Sequence, residues 1–206
     1  LDLKRLNFCS CEPSGLRVLL PALKEKYPEM NVTYTLLQNE QECVNSLISG
    51  KNDIALFYCS QAVHPELYSL PVYSDRILIR VPLCDPLSKN KKLEASDIDG
   101  KEVLVLCDSP FGEKYIEEFE KNNNIHIKWE KEKELMIYYS LVKSNKYISF
   151  STKVEKDTFS VEECSGAKYF PLGKDTIIPY YATYLKSKKD IFTPFTDFVQ
   201  DYYALL

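Results

Sequence analysis

The sequence lacks the features of a membrane protein, a secreted protein or a nucleic-acid-binding domain. It contains no apolar run of the ~18 residues that a bilayer-spanning helix requires, so no membrane partner is predicted. Neither a signal peptide nor an initiator Met opens it, and we expect Leu1 to begin a fragment of a longer protein or a processed form. The net charge of −4 excludes strong unaided binding to nucleic acid, because phosphate binding needs concentrated Lys and Arg.

Histidine is also scarce, which leaves little basis for catalysis. The chain has 2 His residues, His64 before Pro65 and His126 in an expected strand. A catalytic triad needs a nucleophile, a His base and an orienting acid that converge in space, and the chain has no Gly-rich phosphate loop. Cys9-x-Cys11 has no second pair at the spacing of a zinc site. The sequence therefore predicts no catalytic residue, no cofactor and no metal site.

The cysteines do not form the pattern of a secreted disulfide framework. Such frameworks have an even number of cysteines and usually occur in smaller, loop-rich chains. Here the 7 cysteines are scattered through segments with strand and helix patterns. They are Cys9, Cys11, Cys43, Cys59, Cys84, Cys107 and Cys164. We expect reduced, mostly buried thiols in a cytoplasmic protein.

The first third of the chain alternates strand and helix patterns. Leu6–Cys9 is predicted to be a strand, followed by a turn at Glu12–Gly15 and a helix over Leu16–Lys26. A strand over Val32–Leu37 comes next. A second helix then starts at the N-cap Asn39, with Glu42 three residues on, and ends at Gly50. Asp53–Phe57 is nearly all apolar, as in a parallel strand covered on both faces. This β-α-β-α-β order predicts a doubly wound half-domain.

The same pattern starts again after residue 76. Strands are predicted at Ile77–Val81, Glu102–Cys107, Ile125–Trp129, Tyr147–Phe150 and Tyr180–Leu185, and helices at Glu113–Asn122, Leu135–Lys143 and Pro194–Leu205. Two similar α/β halves joined by two extended segments predict subdomain I at residues 1–81 and 180–206, and subdomain II at residues 82–179. The expected crossovers lie near Val81–Cys84 and Pro171–Pro179.

Several short motifs occur in an order that is typical of one family. They include Lys26-Tyr27-Pro28-Glu29-Met30, Lys51–Leu56, Asp75–Pro82, Asp85-Pro86-Leu87, Ile98–Lys101 and Glu134–Val142. In this order and spacing the chain resembles the effector-binding domain of LysR-type transcriptional regulators. The resemblance implies a type II periplasmic-binding-protein-like fold, in which two Rossmann-like subdomains joined by a two-segment hinge bind a small effector between them. It also implies a winged helix-turn-helix, absent from this chain, before Leu1.

The chain departs from the family pattern in three places. Pro21 falls inside the first helix, where it should kink the helix or mark a shifted start. Where the family often has two glycines before the strand at residue 148, this chain has Asn145 and Tyr147. Asn145 is expected to adopt the left-handed conformation that such a turn needs. A frequent Pro after that strand is replaced by Ser151 or Thr152.

Polar residues follow four of the predicted strands, at the edge where a doubly wound sheet binds ligands. In such a sheet, ligands bind beyond the carboxyl ends of the strands, near the N-termini of helices. The predicted ligand-binding residues are Ser10, Cys11, Glu12, Ser14, Gln38, Asn39, Glu40, Ser109, Pro110, Phe111, Phe150, Ser151 and Thr152. Short polar side chains at helix starts are also ordinary caps, and that alternative stays open for each of them.

Acidic residues near these segments suggest the charge of the ligand. Glu12, Glu40, Asp108 and Glu113 lie there, and Lys114 is the one basic residue next to them in sequence. Acidic groups at the site would repel a dianion and favour an amine, an amino acid or a neutral molecule. The alternative is that these carboxylates cap helices and face water.

The function implied by the resemblance is effector sensing and dimerisation in a transcription regulator. The expected partners are a small-molecule effector and further copies of the chain in a homodimer or tetramer, with DNA contacted only through the missing domain. Leu16–Lys26 and Glu113–Asn122 are the candidate dimer helices by resemblance. The alternatives are a solute-binding protein of a transporter or, less favoured, an enzyme on the same fold. Some family members switch through a disulfide, but Cys107 and Cys164 form no close pair in sequence.

Overall fold

The chain divides into two compact units, which we describe separately. A computed structural model describes residues 5–11, 13–58, 64–107, 113–158, 165–171 and 177–204. Unit 1 consists of Leu1–Ser74 and Ile178–Leu206, and unit 2 consists of Asp75–Ile177. The chain crosses between the units twice, as the two-segment connection requires. The subdomain bounds proposed from the sequence, at 81/82 and 179/180, stay predictions.

Unit 1 is a mixed sheet with helices packed on it. Its elements are β1 (Arg5–Ser10), α1 (Pro13–Lys26), β2 (Asn31–Leu36), α2 (Glu40–Ile48), β3 (Ile54–Tyr58), the first part of β4 (Leu67–Pro82), most of β9 (Ile177–Leu185) and α6 (Lys189–Ala204). The strand order is β2-β1-β3-β9-β4. β1 pairs in parallel with β2 and β3, and β9 pairs antiparallel with β3. This is the β-α-β-α-β half-domain that the sequence predicts.

Alternating residues of β1 supply the two faces of the unit 1 core. The ring of Phe8 lies 5.1 Å from that of Phe195 on α6. The next residue, Cys9, belongs to a buried cluster that contains Cys43 and Leu47 of α2. β3 is buried along its whole length, because helices cover both faces of the sheet there.

Local signals set the ends of α2 as predicted. The side chain of Asn39 accepts a hydrogen bond from the N–H of Glu42 at 3.0 Å, which satisfies one of the free donors at the helix start. Gly50 follows the C-cap residue Ser49 with φ +70°, a conformation that glycine adopts without strain.

Unit 2 repeats the α/β arrangement on its own sheet. Its elements are the second part of β4, β5 (Glu102–Leu106), α3 (Glu113–Asn123), β6 (Lys128–Glu132), α4 (Leu135–Lys143), β7 (Ile148–Thr152), α5 (Lys153–Thr158) and β8 (Ala167–Pro171). The strand order is β8-β4-β7-β5-β6. β5 is parallel to β6 and β7, whereas β4 runs antiparallel to β7 and β8. Asn145, in the turn before β7, has φ +54°, so the predicted left-handed Asn is confirmed.

Several element bounds differ from the sequence predictions. Helix α1 begins at Pro13, so the turn predicted over Glu12–Gly15 is wrong in its last three residues, and Pro21 lies inside the helix. Strand β6 starts at Lys128 rather than Ile125, because its register follows β5 and not its own apolar residues. β8 and α5 were not predicted. α5 is a six-residue helix whose first turn donates a hydrogen bond to Asp75, which is distant in sequence, and β8 is a strand of only five residues.

Candidate functional site

Five of the predicted ligand residues of unit 1, namely Ser10, Cys11, Gln38, Asn39 and Glu40, come together at one edge of its sheet. β1 and β2 run in parallel and end at the same level, where Ser10 pairs with Leu36. The N–H of Leu37 then donates to the carbonyl oxygen of Ser10 at 2.9 Å. The segment Gln38–Glu40 therefore follows directly beside Ser10 and Cys11, as the parallel strand order predicts.

The side chains at this edge differ in their exposure and in the hydrogen bonds that they already make. Ser10 and Cys11 are buried, at 0% and 2% exposure. Asn39 caps α2, and the N–H of Gln38 donates to Glu42 Oε2 at 3.0 Å. Gln38, Asn39 and Glu40 are half-buried. Asn39 therefore acts as a helix cap, which was the alternative to a ligand-binding role. Ligand contacts of Asn39 and its neighbours stay predictions.

Three thiols lie directly behind this edge. Cys9, Cys11 and Cys43 belong to one buried cluster with Leu47, Ala55, Phe57 and Leu67. The hydrogen bond with the Cys11 thiol lowers the pKa of the Cys43 thiol, but the hydrogen bond with Cys9 and burial outweigh it. The net effect raises the pKa of Cys43 far above its ordinary value. At neutral pH the Cys43 thiol is therefore protonated.

The corresponding edge of unit 2 is formed by the ends of β5, β6 and β7. The N–H of Cys107, just after β5, donates to the carbonyl oxygen of Glu132 at the end of β6 at 2.7 Å. Three of the predicted ligand residues follow Cys107, namely Ser109, Pro110 and Phe111, and they lie outside the described residues. Glu12 lies outside them as well, and of Ser14 only the backbone, within α1, is described.

The predicted residues at the end of β7 have well-defined contacts within unit 2. The Phe150 ring packs edge-on against the rings of Tyr115 and Phe119 on α3, with centroid distances of 5.8 Å and 5.7 Å. Ser151 Oγ donates to Glu155 Oε2 at 2.7 Å, and Thr152 Oγ1 accepts from the N–H of Glu155 at 3.0 Å. Thr152 therefore caps α5. All three residues are buried, and their proposed contact with a ligand stays a prediction.

An ion pair that the sequence did not reveal changes the charge of the unit 2 edge. Lys131 Nζ lies 2.6 Å from Glu113 Oε1, and both side chains are about half exposed. Cys107 Sγ donates weakly to the same carboxylate at 3.9 Å. The hydrogen bond from Lys131 lowers the pKa of Glu113. Glu113 is therefore ionised but balanced, so it contributes less repulsion of anions than the sequence suggested.

Two buried charged residues of β4 contact the segments on either side of β7. Asp75, fully buried, accepts hydrogen bonds from the N–H of Val154 at 3.3 Å through both carboxylate oxygens. Arg80, also buried, donates through Nη2 to Asn145 Oδ1, while its Nε and Nη1 have no hydrogen-bond partner among the described residues. The sequence contains one sign of this group, because Arg80 is a charged residue inside the predicted apolar strand Ile77–Val81.

Burial dominates the titration of Glu155, whose carboxyl group interacts electrostatically with Arg80 and Asp75. Desolvation raises the pKa of Glu155 to about 6, against the opposing effects of its hydrogen bonds and of the Arg80 charge. No group of three or more His, Cys, Asp or Glu residues within the described ranges is arranged to hold a metal ion. In the same part of the chain, no helix is long and apolar enough to cross a membrane.

Comparisons with known proteins agree with this architecture. The model of the LysR substrate binding domain matches residues 8–132, more than half of the chain. No curated protein sequence matches. The effector binding domain of a BenM variant is 17% identical with a TM-score of 0.77, covering 98% of this chain and 95% of that one. Full-length CbnR complexed with its target DNA is 15% identical with a TM-score of 0.79, covering 98% and 72%.

A third similar structure is an OxyR mutant from Porphyromonas gingivalis, which is 16% identical with a TM-score of 0.75 and covers 96% of this chain and 92% of that one. At these identities the structural matches show the fold, which is type II periplasmic-binding-protein-like. The family match runs from within β1 to the end of β6, so it includes the unit 1 edge and the β5 and β6 ends of the unit 2 edge but not β7. The chain belongs to the LysR substrate binding domain family.

Proposed function

We propose that this chain is the effector-sensing domain of a LysR-type transcription regulator, and that it binds a small molecule through the strand-end residues of both units. The observation that carries the proposal is the pair of matching edges. In unit 1, Ser10 and Cys11 lie beside Gln38–Glu40, and in unit 2 the ends of β5, β6 and β7 meet near Cys107. Ligand binding would change the placement of one unit relative to the other, and this change would be passed on as a regulatory signal.

The charges favour an amino acid or a neutral polar molecule as the effector. Glu40, half-buried in the first turn of α2, provides a carboxylate for an ammonium group. Lys131 and Glu113 together supply one charge of each sign at the other edge. A zwitterion complements this arrangement better than a dianion or a simple amine.

A panel of candidate ligands tests the charge preference. Thermal unfolding of the chain would be followed with amino acids, neutral sugars and nucleosides, diamines and dicarboxylates, and positive results confirmed by isothermal titration calorimetry. We expect stabilisation by members of the first two classes, because a ligand that binds only the folded state raises the midpoint. A response confined to dicarboxylates would contradict the charge argument.

Two matched Glu→Gln variants locate the ligand. Glu40→Gln removes the carboxylate just after the carboxyl end of β2, whereas Glu29→Gln makes the same change at an exposed position before its other end. We expect affinity for the ligand to fall about tenfold in Glu40→Gln, the effect of losing one charge-assisted contact, and to stay unchanged in Glu29→Gln. Equal affinities in the two variants would place the ligand elsewhere.

Assembly and DNA binding are part of the same proposal. A cytoplasmic homodimer or tetramer, using α1 and α3, would place DNA-binding domains that precede this domain in the parent protein. Support comes from the family and from the similarity to CbnR, which was solved with its target DNA. We propose a sensor rather than an enzyme or a transport protein. Sedimentation of the chain with and without ligand would test the assembly, and a monomer under both conditions would contradict it.

A further inference from the structure

A buried arginine on β4 keeps hydrogen-bond donors without a partner. Arg80 is 2% exposed, although its guanidinium group is always charged. Its Nη2 donates to Asn145 Oδ1, whereas its Nε and Nη1 have no hydrogen-bond partner among the described residues. Because the burial of a charged group with unpartnered donors is unfavourable, such donors indicate a bound ion or a bound water molecule.

Ser149 places another unpartnered polar atom on the same face of the sheet. β4 and β7 are antiparallel, and Arg80 lies directly opposite Ser149 in their register. The side chains of directly opposed residues point to the same face, with Cβ atoms about 5 Å apart. Ser149 is fully buried, and its Oγ has no hydrogen-bond partner in the described part of the chain. Because Nε lies partway along the arginine side chain, one small ligand can accept from both Arg80 Nε and the Ser149 hydroxyl.

Asn145 anchors the guanidinium from a turn that is itself well packed. Asn145 precedes β7 with φ +54°, and its carbonyl oxygen accepts from Cys84 Sγ at 3.4 Å. A Cβ added at Gly166 would overlap the Asn145 amide, so this amide packs directly against the Gly166 backbone. Arg80 Nη2 is therefore bound to a well-packed acceptor, and the other donors of Arg80 remain available on the face that carries Ser149.

Two carboxylates of unit 2 make their hydrogen bonds toward the other end of β7. Asp75 lies five residues before Arg80 on β4, roughly 16 Å along an extended strand, and accepts from the N–H of Val154 after β7. Glu155 Oε2 accepts from the hydroxyl of Ser151, near the end of β7. The Arg80 guanidinium contacts the turn before β7 instead, and neither carboxylate accepts from its free donors.

We propose that Arg80 and Ser149 bind a small monovalent anion, such as chloride, in the interior of unit 2. One guanidinium charge matches one negative charge, and the burial of both residues restricts the site to an anion of few atoms. Water would satisfy the donors but would not balance the charge. Ser149 is near the start of β7, whereas the candidate effector edge is at the carboxyl end of that strand, so this site is separate from effector binding. The bound anion would join β4 to β7 and stabilise unit 2.

Chloride titration of the whole chain tests the proposal. Thermal unfolding would be followed in mixtures of sodium chloride and sodium gluconate at constant ionic strength, because gluconate is too large for a buried site. We expect the midpoint to rise saturably by about 2–5 °C with chloride, and similarly with bromide. Crystals grown in bromide should show an anomalous peak within hydrogen-bond distance of Arg80 and Ser149.

Matched variants assign the chloride response to Arg80. Arg80→Met removes the buried charge, whereas Arg76→Met makes the same change at an exposed position on the same strand. We expect the response to be lost in Arg80→Met and kept in Arg76→Met. Ser149→Ala is a second test in case Arg80→Met folds poorly, and it should weaken chloride affinity about tenfold.

Glu155→Gln should have the opposite effect on chloride binding. Glu155 interacts electrostatically with Arg80, so its negative charge opposes a second anion there. Chloride affinity at pH 7.5 should therefore rise about threefold in Glu155→Gln. It should stay unchanged in Glu113→Gln, because Glu113 is half-exposed and paired with Lys131.

Three results would overturn the proposal. The first is an equal chloride response in the wild type and in folded Arg80→Met, as expected of a general salt effect. The second is the absence of a saturable chloride response in the wild type, which would leave water as the partner of Arg80. The third is a stronger response to sulfate than to chloride, which would contradict the preference for a small monovalent anion.

Discussion

The two units share a sheet arrangement but differ in what lies behind their candidate binding edges. In unit 1 the space is filled by thiols and apolar side chains. In unit 2 it contains the buried Asp75 and Arg80, with Glu155 close by. The same fold therefore supports its candidate binding edge by apolar packing in one half and by hydrogen bonds to charged side chains in the other. We expect the stability of unit 1 to vary little near neutral pH and that of unit 2 to depend on it.

The largest effect is expected from a change in the apolar core of unit 1. Phe195→Ala removes a fully buried ring that contacts Phe8 and should destabilise the chain by about 3–5 kcal/mol. Phe198→Ala, one turn away on α6 and only half-buried, is the control and should cost clearly less.

Urea unfolding of the two units can be followed through different spectroscopic signals. Trp129, the single Trp, lies on β6 and reports on unit 2, whereas circular dichroism follows both units. If unit 1 unfolds by itself, the dichroism midpoint of Phe195→Ala shifts more than the Trp129 midpoint. Coincident shifts would show that the units unfold together, and would contradict a separate stability for each unit.

A change in the charged group of unit 2 should have the next largest effect. Asp75→Ala leaves the N–H of Val154 without its buried acceptor and should cost about 2–4 kcal/mol, observed through Trp129 fluorescence. Asp75→Asn keeps an acceptor oxygen and should recover part of the loss. Equal stability of the wild type and Asp75→Ala would show that this carboxylate does not hold α5.

Glu155 should give unit 2 its dependence on pH. Because the folded-state pKa of about 6 lies above the ordinary value of 4.5, the protonated carboxyl favours the folded state. This contribution is complete below pH 4.5 and is lost as pH rises through about 6. Glu155→Gln should therefore be more stable than the wild type by about 1–2 kcal/mol at pH 7.5, and equal to it near pH 4.

The control for this prediction is Glu113→Gln. Glu113 is half-exposed and paired with Lys131, so its replacement should leave the unfolding midpoint nearly unchanged, the smallest effect in the series. A gain in stability from Glu155→Gln that does not vary between pH 4 and pH 7.5 would contradict the assignment of this titration to Glu155.

Local signals made much of the fold predictable from the sequence. Asn39 and Gly50 bound α2 because caps depend on neighbouring backbone groups, and Asn145 adopts the left-handed turn for a similarly local reason. The short segments α5 and β8 were missed because contacts distant in sequence define them. α5, for example, is held in part by Asp75, 79 residues before Val154.

The chemistry of the edges was less predictable than their position. The strand order alone brings Ser10 beside Gln38, as the β-α-β pattern indicated. The Glu113–Lys131 pair joins the start of α3 to β6, 18 residues apart in sequence, and no local pattern reveals it. The meeting of Cys43 with the Cys9-x-Cys11 pair likewise depends on how α2 packs on β1.

Hydrogen–deuterium exchange with the best ligand from the panel tests the central claim most directly. If the effector is bound by strand-end residues of both units, its addition should slow exchange in residues 10–11 and 37–41 of unit 1 and in residues 148–155 of unit 2. Segments distant from these edges, such as the C-terminal turn of α4, should be unaffected. Protection confined to one unit, or absent from both edges, would contradict the account.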